Sequence, residues 1–141
     1  MADNLLIRAA VLGGAAGARS VTPIAALAAQ GRSGWVRGLT TAAAVGEIVM
    51  DKLPGTPSRL KPAPLGGRIL LGALAGGGQA RSRGANVVLQ AITGAVAAAA
   101  VSYAGAAWRA SAARRGLGFP AALAEDAVAI MLASAAAQRR R

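Results

Sequence analysis

Gly84–Trp108, GANVVLQAITGAVAAAAVSYAGAAW, runs 25 residues without a formal charge. As a helix it covers about 38 Å, more than the ~30 Å hydrocarbon core of a bilayer. Arg81 and Arg83 precede it and Trp108–Arg109 close it. Basic residues outside and a Trp at the edge are what a membrane interface favours. Within it Gly94, Ala98 and Ser102 recur every four residues, the small-xxx-small spacing that lets two helices touch backbone to backbone. The stretch reads as a transmembrane helix with one closely packed face.

Composition extends that reading to the whole chain. Of 141 residues, 55% are apolar and 15% charged, against about 25% charged in an average soluble domain. Alanine and glycine dominate, and aromatics are 3%. Ala buries little area, so a water-driven core is hard to build from it, whereas Gly is common where membrane helices meet. The length fits one domain, 1–141. Cysteine and histidine are absent, which leaves no ligand set for zinc and no Cys- or His-based catalyst. Ser20, Thr22 and Ser102 have no activating His or Lys beside them. No enzyme, cofactor or metal site is expected. The net charge of +11 is spread between apolar runs, where membrane proteins keep their arginines, so no nucleic acid is expected as partner.

Four further segments are predicted around the first: 5–30, 36–53, 65–80 and 117–138, with 84–108 as the fourth of five. The first carries its own break in GARSVTP. Gly17 loosens the helix, Pro23 removes a donor, and Thr22 is placed to cap a new helix. Arg19 then falls at the junction of two half-helices. Residues 54–64 hold four prolines and predict a stiff, extended connection opened by Pro54. Gly72 and Gly76 share a face of the third segment, Gly13 and Gly17 a face of the first, and Pro120 stands near the start of the last as a further helix break. These small residues are expected to pack helices and to favour self-association.

The acids are few and oddly placed. Glu47 and Asp51 lie one turn apart inside AAAVGEIVMDKLP (Ala42–Pro54), and Glu125–Asp126 lie inside the last segment. A charge at mid-bilayer costs about 2.5–3.5 kcal/mol on insertion scales, so each carboxylate needs a partner or water. Arg19 and Arg68 are the inner cations, which makes Arg19, Glu47, Asp51, Arg68, Glu125 and Asp126 the candidate polar site. Two cations against four carboxylates predict two carboxylates over.

GARSVTP (Gly17 to Pro23), GEIVMDKLPG (Gly46 to Gly55), the Arg68 segment and the late Glu125–Asp126 helix together resemble a family of small bacterial integral-membrane proteins. It is the uncharacterised family filed as domain of unknown function forty-one twenty-six. The resemblance runs from about Leu12 to Ala133. It implies a polytopic helical membrane protein with no established activity, and matches Arg19, Pro23, Glu47, Asp51, Lys52, Pro54, Arg68, Glu125 and Asp126 as positions.

The expectation is therefore an all-α, polytopic transmembrane bundle of about five Ala/Gly-rich segments in a bacterial inner membrane. It would be a non-enzymatic structural or assembly component, associating with itself or another membrane protein. A proton- or cation-linked transporter using Glu47/Asp51 and Glu125/Asp126 is the alternative. A soluble basic helical protein that binds nucleic acid is the second.

Overall fold

A computed structural model describes residues 2–31, 33–50 and 60–138. Among the described residues there are six α-helices and no strands: α1 Ala2–Ala18, α2 Thr22–Ala29, α3 Gly34–Met50, α4 Pro62–Arg81, α5 Val87–Arg114 and α6 Gly118–Ala137. Local chemistry explains most of the boundaries. The Asn86 side chain caps α5 by accepting from the Leu89 amide at 2.9 Å. At its far end Gly116, at φ 72°, turns the chain left-handed while the Leu117 amide bonds back to the Ala112 carbonyl at 2.9 Å. That is a glycine-dependent helix stop, and nothing before it ends the helix. Accordingly α5 runs six residues past Trp108, the boundary the aromatic residue predicted.

Pro62 and Pro64 are also relocated. They sit in the first turn of α4 rather than in the connection, because a proline there gives up an amide that has no intrahelical acceptor anyway. Pro120 similarly lies in the first turn of α6 and opens that helix rather than breaking one. Pro54 lies outside the described residues.

The largest departure concerns segment 5–30. It is two helices that double back, not one long crossing. Near the start of α1, Arg8 donates to the Ala136 and Gln138 carbonyls at the end of α6, at 2.9 and 2.6 Å. At the other end of the hairpin, Gln30 and Gly31 line a cavity with Gln79 of α4, Arg83 just beyond it, and Ala137 of α6. Gln79 in turn donates to the Ala136 carbonyl at 2.7 Å. The start of α1 and the end of α2 thus share one end of the bundle, here called proximal. Between the two arms Leu12 packs with Val11, Ile24 and Leu27. The α5–α6 turn and the start of α4 mark the opposite, distal end, and the hairpin tip at residues 19–21 lies between the two.

Around the hairpin α3, α4, α5 and α6 alternate in direction. The main seam joins α5 to both α1 and α4. A Cβ added at Gly94 would run into the Gly72 carbonyl, and one at Gly13 into Gly94 itself. One at Gly72 would lie 2.7 Å from both the Gly94 carbonyl oxygen and the Ala98 methyl. Gly17 meets the Ala98 carbonyl, and Gly76 the Gln90 carbonyl, in the same way. The small residues at these positions therefore join helices within one chain.

Burial is inverted relative to a water-soluble bundle. Among the described residues the buried hydrophobic ones are alanines apart from Leu12, while Val88, Ile92, Val96, Trp108, Phe119 and Met131 face outward. Water drives large apolar side chains inward, and this chain puts them outside. Two helices, α5 and α6, are long and apolar enough to cross a membrane.

Candidate functional site

The polar site is the tip of the α1–α2 hairpin. Pro23 has no amide to give the Arg19 carbonyl and its ring crowds that oxygen, so the helix stops there and restarts. Stopping leaves carbonyls without partners at the end of α1, and restarting leaves amides without partners at the start of α2. Buried away from water, each such group costs about 1–3 kcal/mol if unmet.

Both sets are met by side chains from other helices. Arg68 of α4 donates through Nη1 to the Gly17 and Ala18 carbonyls at 2.6 and 2.8 Å. Ser102 of α5 adds a bond to the Gly17 carbonyl at 3.2 Å while also holding the Ala98 carbonyl of its own helix at 2.8 Å. On the other side Glu47 of α3 accepts from the Ser20 and Val21 amides at 2.7 and 2.9 Å, one through each carboxylate oxygen. Arg68 Nη2 and Glu47 Oε1 then meet at 3.4 Å. The signs follow the helix dipoles: a cation on the carboxyl end of α1, an anion on the amino end of α2.

Arg19 itself is fully buried. Its Nε and Nη2 both donate to Oδ1 of Asp126 on α6. The tip is thus fastened to α3, α4, α5 and α6 by four different side chains. A third ion pair lies nearer the distal end, where Arg109 Nε meets Glu125 Oε2 at 2.7 Å.

Of the residues named from sequence, Arg19, Glu47, Arg68 and Asp126 converge at the tip, with Gly17 and Pro23 shaping it. Glu125 does not join them; it turns to Arg109 on the neighbouring helix. Asp51, Lys52 and Pro54 lie outside the described residues. Thr22 does not cap α2: Val21 holds the cap position, Glu47 supplies the acceptor from across the bundle, and Thr22 Oγ1 is buried with no hydrogen bond. One of the two carboxylates expected in surplus is accounted for: Asp126 and Glu47 take Arg19 and Arg68, and Glu125 has Arg109, which α5 carries past Trp108.

Sequence reading took Arg109 only as the flank of a span, and placed neither Arg8 nor Gln79, both at the proximal end, in the polar site. A signal for Arg109 was present. It and Glu125 stand equally far from Leu117, and residues equidistant from the turn of a helical hairpin face each other. Gln90 is another buried polar residue, and its Oε1 has no hydrogen bond.

No family model, curated protein or solved structure matches the chain.

Proposed function

We propose that the chain is a multi-pass protein of the bacterial inner membrane, with α3 to α6 crossing and the α1–α2 hairpin entering from the proximal side and returning. Its role is structural or assembly-directed, not enzymatic, and it fits the resemblance to the uncharacterised membrane family. One observation carries this reading: the buried charges at the hairpin tip are matched by charges on surrounding helices, inside a bundle whose large apolar side chains face out. Such an arrangement shelters polar groups from lipid and makes no use of them at a surface.

Self-association belongs to the same proposal, but through other residues than the sequence indicated. Gly34, Gly38, Ala42 and Gly46 repeat every four residues along α3. Nothing stands within 4 Å of a Cβ built at Gly38 or Gly46. Helix α3 packs chiefly on α2, which leaves this small-residue stripe open to a second copy.

The lack of cysteine makes both points testable with single-cysteine variants in whole cells. Asn4→Cys and Gly31→Cys are expected to react with an impermeant maleimide from one side of the membrane, Lys61→Cys from the other. Ala42→Cys is expected to cross-link copies on oxidation. Labelling of Asn4 and Gly31 from opposite sides would remove the hairpin from the membrane topology.

The broken-helix geometry favours one second reading, a proton- or cation-linked transporter, since helix ends at mid-bundle are how many transport sites are built. Glu47→Gln separates the two. Under the structural reading the variant loses about 1.5–3 kcal/mol of stability, the range for hydrogen bonds to a charged group. Amide exchange at Ser20 and Val21 then quickens, and vesicles carrying either form leak protons and cations equally. A flux present in wild type and absent from a stably folded Glu47→Gln protein would support transport instead.

A further inference from the structure

Two cavities lie beside α5 and α6. The larger is an open groove of about 580 Å³ between α1, α5 and α6, with small residues such as Gly14, Ala18, Gly105 and Ala124 in its walls. Its lining is apolar apart from Glu125, whose carboxylate is held by Arg109. The smaller lies at the α5–α6 turn and is lined by Ser111, Arg115 and Leu117. The two share Trp108 and Ala124, so they form one trough. Along α6 it runs from Leu117 to Leu132, about 22 Å, compared with ~15 Å for half the hydrocarbon core.

The ends of the trough differ in chemistry. Its distal mouth carries Ser111 and the exposed Arg115, with the exposed Arg114 beside them, while its depth is aliphatic. A single hydrocarbon chain is slender enough to enter.

We propose that this trough binds one anionic phospholipid, an acyl chain lying between α1, α5 and α6 and the phosphate against Arg115, Arg114 and Ser111. The proposal rests on the chain being a membrane protein. Filling the groove with a lipid tail explains why three helices leave an apolar gap that their own alanines do not close, and the two arginines supply the charge that selects an anionic head.

The test is native mass spectrometry of the full chain in neutral detergent, titrated with phosphatidylglycerol or phosphatidylcholine. Wild type is expected to retain one phosphatidylglycerol, preferred about thirtyfold over phosphatidylcholine, as two basic residues near the head group provide. Arg114→Gln with Arg115→Gln brings that ratio close to one. Ala124→Trp, at an exposed position where the two cavities meet, abolishes retention of both lipids while the helical circular-dichroism signal is unchanged. Equal lipid retention by wild type and Ala124→Trp would overturn the proposal, because the lipid would then be loosely annular. So would a dimer, in place of lipid, that Ala124→Trp disrupts. Alkaline carbonate extraction keeps the two failures apart: release of the chain removes the membrane reading itself, whereas retention with unselective lipid binding removes this proposal alone.

Discussion

Asp126→Ala is expected to destabilise the bundle by about 3–5 kcal/mol, the usual consequence of removing one partner from a buried ion pair. Arg19 cannot escape by losing its proton, since a guanidinium stays charged in any protein environment, and it has no exposed surface. The reverse deletion should cost less. With Arg19→Met the stranded group is the Asp126 carboxylate, which keeps some accessible surface where Arg19 has none. Joint replacement, Arg19→Met with Asp126→Leu, is expected to recover most of the loss, because replacing both buried charges by apolar groups is often neutral or stabilising. Unfolding of the detergent-solubilised protein by heat or by graded sodium dodecyl sulfate ranks the three variants. A double variant as weak as Asp126→Ala alone would show that the pair does more than cancel charge.

Gly94→Ala is the other large expected effect. The added methyl runs into the Gly72 carbonyl, which is backbone and cannot rotate away. Helices α4 and α5 must then separate, and α1, which meets α5 at Gly13 and Gly17, loses its seat too. Overpacking a well-packed site costs about 1–3 kcal/mol and occasionally more; here the obstacle is a helix backbone, so the upper part of that range or beyond is expected. Gly78→Ala is the control. Nothing stands within 4 Å of its added Cβ, and replacing a helical Gly by Ala is worth up to about 1 kcal/mol in favour of folding. Opposite shifts in the unfolding midpoint of the two variants check the seam; equal shifts would mean that the helices do not meet there.

Both expected effects follow from the composition of the core. With alanine as nearly the whole buried hydrophobic set, the area removed from solvent is small. Close backbone approach and matched charges take over the role of the large side chains, which face outward instead.

Much of this was legible in the chain. The helix break at Pro23 follows from a residue that lacks an amide. The spacing of Gly94, Ala98 and Ser102 placed three small residues on one face before any partner was known. These features are local, and local chemistry decides them. The helix ends were less legible: a Trp expected at an interface does not stop a helix, and α5 carries on past Trp108 to place Arg109 within reach of Glu125.

Tertiary structure alone decided the direction of the chain after Ala18. A break at Gly17–Pro23 specifies that one helix ends and another begins, and leaves the angle between them open. The angle is set from outside, by Arg68 and Ser102 holding the last carbonyls of α1, Glu47 holding the first amides of α2, and Asp126 holding Arg19 between them. Those four side chains come from four other helices, up to 107 residues away in sequence, so no window of the sequence contains the information that turns a long crossing into a hairpin.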